Sequence, residues 1–313
     1  LLQLEIVLLL LQNKNIMASW SELLNEADAS ADPVSFLNQR REQLLNSIYE
    51  YTGRNVIAYY SSWLTKPQAP DIDISDSDKN AFMQAIYKMD KTKGLDLILH
   101  TPGGGIAATE SIVDYLHSIF DGDIRAIIPQ MSMSAGTMIA LSCSSIIMGK
   151  QSNLGPVDPQ NRGISCQEAL DEFETAKQEV KDNPSSLGLW QVLISKYTPT
   201  FLVSCKNAID WSKTLATTWI TNNPNIEVKD IDKIVKLFVE HSESKSHDRH
   251  ISKDKCKEVG LNIIDMESDN TLQDLFLSLH HCYMIFFDKT IVVKTVENHL
   301  GATYLRTYTE TPK

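Results

Sequence analysis

The stretch that most constrains the fold lies between residues 95 and 149. Three short runs, Leu95-Asp96-Leu97-Ile98-Leu99, Ile124-Arg125-Ala126-Ile127-Ile128 and Ser145-Ile146-Ile147-Met148, are mostly apolar and separated by segments of helical spacing. Ala107 to Phe120 places Ile112, Val113, Leu116 and Phe120 on one face, and Ser134 to about Cys143 predicts a second, short helix. Strands this short and this apolar, alternating with helices, predict a parallel sheet covered by helices. Asn55–Ser61, β-branched and aromatic and preceded by Gly53, predicts a further strand. Ser75 or Asp76 is placed to cap a helix running through Met89.

The flanks read differently. Residues 19–50 carry a helical apolar stripe through Leu23, Leu37, Leu44 and Ile48. After the Gly155-Pro156 turn the sequence is mostly helical to about Leu237, with Trp190 and Trp211 expected in the core. Ser242–His250 is a polar loop, His250–Gly260 a helix leading into Leu261–Ile264, and the C-terminal part holds another apolar helix and the run Tyr283–Phe287. The expected organisation is a non-native or upstream leader over 1–16, a helical arm over 17–50, an α/β core over 51–185 and a helical extension over 186–313 that contributes the loop around His247.

Charge and cysteine usage narrow the function classes. With 29 basic against 40 acidic residues the net charge is −11, which argues against a phosphate-tracking nucleic-acid surface. Five cysteines, widely spaced and without CxxC, give neither a disulfide framework nor a zinc site, and fit reduced thiols in a cytoplasmic protein. The opening LLQLEIVLLLLQ contains Glu5 and is too short to span a bilayer at ~20 residues. It also lacks the basic flank of a signal peptide, so Met17 is the expected start and membrane association is not expected.

Nine of the 13 glycines fall between Gly94 and Gly163, where two loops each follow a predicted strand. Ligands of open α/β sheets collect at such strand ends. In Thr101-Pro102-Gly103-Gly104-Gly105 the glycines free the backbone to turn N–H groups outward at a helix N-terminus, a cradle for an oxyanion or simply a tight turn. No Walker A or GxGxxG spacing accompanies it, so a nucleotide cofactor is not implied, and no metal site is expected. In Met131-Ser132-Met133-Ser134-Ala135-Gly136-Thr137, Ser134 precedes two tiny residues at a helix start. It could be an approachable nucleophile beside the Ala135 N–H, or a plain N-cap.

Together, LHTPGGG (99–105), IPQMSMSAGTMIAL (128–141), LGPVDPQ (154–160) and SHDRHISKDKCKEVGLNI (246–263) resemble the Clp/crotonase superfamily. Within it the chain is most similar to the Clp-fold serine proteinases called the serine dehydrogenase proteinase family. The resemblance implies a Clp/crotonase-like α/β fold and a serine peptidase with Ser134 as nucleophile. Gly104 and Ala135 would then supply the oxyanion-hole N–H groups. Where Clp proteases proper carry their histidine, this sequence reads Gly155-Pro156-Val157-Asp158-Pro159 and holds none. The family's Ser, Asp, His order maps onto Ser134, Asp158 and His247, and triads are defined by roles rather than chain order.

Alternatives stay open at several positions. Asp158 could be a turn residue and His247 a solvated loop residue, with Asp248 as substitute acid. Relatives with a Ser–Lys dyad direct attention to Lys177 or Lys181, and His100 is a further possible base. A crotonase-type acyl-CoA enzyme would use the same glycine turns without a serine nucleophile, and a silent interaction module would retain only the fold. Expected partners are a peptide or protein substrate, further copies of the chain, and a separate ATPase unfoldase where one is used.

Overall fold

The computed structural model describes residues 19–161, 163–240 and 248–309. Two helices lead in. Helix α1 (Trp20–Ala29) starts at a reciprocal capping box between Ser19 and Glu22, and α2 (Pro33–Thr52) is capped by Asp32 and stopped by Gly53 at φ 67. The chain then alternates through β1 (Asn55–Ser61), α3 (Asp78–Ile86), β2 (Leu95–His100), α4 (Ile106–Phe120) and β3 (Ile124–Ile128). Next come β4 (Met131–Ser132), α5 (Ala135–Ser142), β5 (Ser145–Met148) and the short pieces β6 (Asn153–Leu154), β7 (Gln160–Asn161) and β8 (Ile164–Ser165). Helices α6 (Cys166–Asp182), α7 (Leu187–Ile194), α8 (Phe201–Asn222) and α9 (Val228–Val239) follow. The C-terminal part comprises β9 (Ile251–Ser252), α10 (Lys253–Glu258), β10 (Ile263–Asp265), α11 (Asn270–Lys289), β11 (Val292–Asn298) and β12 (Thr303–Thr307).

A seven-stranded sheet has the order β10-β5-β3-β2-β1-β11-β12. Its first five strands are parallel, as the short apolar runs predict, while β11 and β12 close it with antiparallel pairings. Period-two alternation divides the strand residues between two cores. Tyr59, Leu97, Leu99 and Ile128 pack with α3, α4, α5 and α9, whereas Val56, Tyr60, Ile98 and Ile127 pack with α1, α2 and α11. The result is three layers, helix on sheet on helix. All five cysteines are buried and none is bridged. Among the described residues no helix is long and apolar enough to cross a membrane.

The C-terminal part departs from its sequence reading. Residues 186–313 are helical over α7 to α9 and α11, yet they also supply three strands of the main sheet. Strand β11 (Val-Val-Lys-Thr-Val-Glu-Asn) hides its burial behind charged side chains that find partners inside. Lys294 pairs with Asp78, and Glu297 with Arg41 of α2. Tyr283–Phe287 belongs to α11, where all five residues are buried. Such a run cannot be divided between strand and buried helix by periodicity alone. The N-terminal arm is likewise part of a layer, since α2 and α11 pack together across the Arg41 guanidinium, which lies 3.8 Å from the Phe286 ring centre.

Candidate active site

Strand β2 delivers the glycine turn. Thr101 bridges to Ser132, with the Met133 N–H donating to the Thr101 carbonyl at 3.0 Å, so the two loops start side by side. Gly103 has φ 108 and Gly104 φ 154. A Cβ on Gly103 would lie 2.7 Å from the Ser134 Cβ, and one on Gly104 2.3 Å from the backbone N and O of Ile74. Close approach therefore requires glycine at both. Gly105 is different: it has an ordinary φ of −68, and a Cβ there would meet nothing nearer than 3.7 Å. Ile74 grips the turn on both sides, donating to the Gly103 carbonyl at 2.7 Å and accepting from the Gly105 N–H at 2.9 Å. The Gly104 N–H between them donates to no other described residue.

Ser134 sits at φ 50, ψ −116, where L side chains are rare, and heads α5 without making a side-chain cap bond. A plain capping serine would have extended backbone and an engaged hydroxyl. This one is half-buried, with its hydroxyl left for other use. Gly136 lets the loop close, since a Cβ there would meet Thr101 Cγ2 at 2.4 Å. The Ala135 N–H, in the first turn of α5, has no acceptor among the described residues and lies at the positive end of the helix dipole.

Ser134, Ala135 and Gly104 open onto one cavity of about 750 Å³. Asp158 lines it too, 5% exposed, with the Ser165 hydroxyl donating to Oδ2 at 3.0 Å. Ser165 also caps α6, and the Val157 N–H donates to the Phe238 carbonyl of α9, so Asp158 is held from two helices. The far wall is α8, through Ser204, Asn207 and Trp211.

The remaining candidates are placed as follows. His247 lies outside the described residues, and Asp248, which follows it, is exposed. Lys177 is exposed on α6, paired with Glu174 at 2.5 Å, and does not line the cavity; Lys181 is exposed as well. His100 is fully buried behind the glycine turn among Tyr60, Trp63 and His280, and burial pushes its pKa down to about 4. Trp211 is not in the core as expected: it is 40% exposed and donates its indole N–H to Glu110. Trp190 is half-buried on α7 and bonds Glu179. Sequence reasoning missed Asp73, which lines the cavity because its neighbour Ile74 pairs with Gly104, a contact with no local signature.

A family model for ClpP-like SDH-type serine proteinases matches residues 34–197, just over half of the chain. An uncharacterized protein of Methanocaldococcus jannaschii is 44% identical over 89 residues, 28% of this chain and 30% of that protein. A second uncharacterized protein of the same organism is 32% identical over 148 residues, 46% of this chain and 50% of its own length. The chain thus spans about a third to a half of the length of the curated relatives it matches. Among solved structures, a serine-to-alanine mutant of the 1510-N membrane-bound stomatin-specific protease is similar at 16% identity and a TM-score of 0.35, over 61% of this chain and 74% of that one. With the matched segment running from α2 through both loops and the Asp158 turn, the chain belongs to the ClpP-like SDH-type serine proteinase family.

Proposed function

We propose that the chain hydrolyses peptide bonds by acyl transfer through Ser134. The observation that carries this reading is a convergence on one cavity: a serine at φ 50, ψ −116 and two N–H groups, of Gly104 and Ala135, that no other described residue uses. Oγ of Ser134 attacks the scissile carbonyl, and the developing oxyanion is received by the two N–H groups with the α5 dipole behind them. A serine hydroxyl needs a base within hydrogen-bond reach. His247 takes that role here, accepting the Ser134 proton and returning it to the leaving amine, with Asp158 orienting the imidazole and stabilising its cation. Asp248 is the substitute acid. The described cavity lining carries Asp73 and Asp158 and no lysine or arginine, which suits a peptide better than a polyanionic coenzyme A thioester.

Fluorophosphonate labelling tests the reading. The expected result is specific labelling of the wild type that disappears in Ser134→Ala. Absence of labelling, with coenzyme A binding by calorimetry, would replace it by the crotonase-type alternative. Unchanged acylation in His247→Ala would remove that residue from its role. Self-association belongs to the same proposal: α7, Leu-Gly-Leu-Trp-Gln-Val-Leu-Ile, has no buried residue, and Leu189 and Val192 are each 63% exposed. Sedimentation of the wild type against Leu189→Glu/Val192→Glu measures it.

A further inference from the structure

Lys294 lies in β11, outside the segment matched by the family model, and both its side chain and that of Asp78 are fully buried. Its Nζ donates to Asp78 Oδ1 and Oδ2 at 3.0 and 2.9 Å and to the Asp73 carbonyl at 2.6 Å. Asp78 Oδ2 also accepts the Ser75 N–H and the Tyr59 hydroxyl, each at 2.9 Å. Ser61, the register partner of Lys294 on β1, donates its hydroxyl to the Ile72 carbonyl at 2.7 Å. Two facing positions of the sheet thus anchor the successive carbonyls of Ile72 and Asp73, and Asp78 anchors the far end of the same segment.

Ile74 sits inside this clamp, and Ile74 is what holds the glycine turn. It bonds Gly103 on one side and Gly105 on the other, and its backbone fills the space where a Gly104 side chain would be. The Gly104 peptide cannot rotate unless Ile74 moves, and Ile74 cannot move without breaking the Lys294 contacts. A buried ion pair adds little net stability over an apolar pair of similar volume. What this one supplies is direction, through charge-assisted bonds of fixed geometry.

We propose that Lys294 is a positioning residue for the oxyanion-hole turn: through Asp73, Asp78 and Ile74 it fixes the aim of the Gly104 N–H without touching substrate. The proposal rests on the serine-peptidase reading. Its test is Lys294→Met/Asp78→Asn, which leaves no unpaired carboxylate, with folding followed by thermal melting. Three readouts are taken: fluorophosphonate labelling rate at Ser134, kcat and KM on a chromogenic ester, and affinity for a peptide aldehyde that forms a tetrahedral adduct. Removing one oxyanion donor typically costs about a hundred- to a thousandfold in kcat, so misaiming one is expected to cost about ten- to a hundredfold. Labelling rate, kcat and aldehyde affinity should fall by that common factor while KM stays within about twofold.

A merely structural role would not produce that split. If the Met/Asn pair does not fold, Lys294→Gln/Asp78→Asn decides, since its shorter amide leaves the Asp73 carbonyl out of reach without burying a charge. A folded variant with the wild-type rate, or with a change in KM alone, overturns the proposal. Ser134→Ala is run alongside. An unlabelled wild type means the peptidase reading has failed, whereas a labelled wild type matched by the variants means only the role of Lys294 has.

Discussion

At φ 50, ψ −116, Ser134 occupies the backbone region of the first central residue of a type II′ turn, where glycine is the ordinary choice. Holding an L-residue in such a region costs of order 1–3 kcal/mol. Ser134→Gly removes that cost, and because the half-buried hydroxyl makes no cap bond, little is lost with it. Glycine also loosens the unfolded chain, which takes back about 0.4–1 kcal/mol. The net expectation is a gain of roughly 0.5–2 kcal/mol, or a rise in Tm of roughly 1–3 °C for a chain of this size. Ser134→Ala is the control, since it keeps the Cβ and therefore the strain. Urea denaturation of wild type, Ser134→Ala and Ser134→Gly gives the three midpoints, and both variants should lose serine labelling completely. A Gly variant that unfolds at the same urea concentration as the Ala variant, or lower, would show that the serine backbone is not strained and that the nucleophile argument has lost its geometric basis.

Two further outcomes are expected. Gly104→Ala puts a Cβ 2.3 Å from the Ile74 backbone and should lower kcat/KM at least about a hundredfold, whereas Gly105→Ala, with only ordinary contacts at 3.7 Å and beyond and φ −68, should stay within about twofold and gain ~0.4–1 kcal/mol of stability; steady-state kinetics and urea melts of the two compare them directly. Burial holds the His100 pKa down at about 4 and that of His280 well below its usual value, so below pH ~6.5 the unfolded chain binds more protons than the folded one. Stability is then full above pH ~6.5 and lost as pH falls toward 4, by up to ~3 kcal/mol from His100 alone, and urea midpoints at pH 4.5 and 7 should differ less in His100→Phe than in the wild type.

Much of the sheet was legible because its parallel strands are buried on both faces. Ile124–Ile128 and Ser145–Met148 carry that burial in their own composition, and their limits match the sequence reading. Strand β11 was not legible, because Lys294 and Glu297 look like surface residues until Asp78 and Arg41 are brought beside them. At the site, Ser134 and Ala135 stand out from a loop that follows a predicted strand, while Gly104 and Asp158 come from the family resemblance; all four line one cavity. Asp73, Trp211 and the α8 wall were not, since each reaches the cavity through packing between segments far apart in the chain. Lys177 shows the converse: the right region of sequence, but a helix face turned to solvent.

The two halves of the proposed oxyanion hole are fitted to each other rather than assembled side by side. The missing side chain of Gly103 leaves the space that the Ser134 Cβ, Met133 carbonyl and Ala135 nitrogen occupy, at 2.7, 2.8 and 2.9 Å from where a Cβ would stand. The strained serine is therefore held by the glycine turn, and the turn in its own right is held by Ile74, which is itself buried in the core on that face of the sheet. Neither loop would keep this conformation alone: one contains an L-residue at positive φ, and both present N–H groups without an acceptor among the described residues. Such features persist only where the surroundings over-determine them. Here the surroundings are the Thr101–Ser132 bridge, the Thr137 hydroxyl that links Ser132 to Gly155, and the clamped 72–78 segment. The last of these depends on Lys294 of β11, so under the proposed mechanism the C-terminal strand supports the oxyanion turn as much as the glycine loops form it.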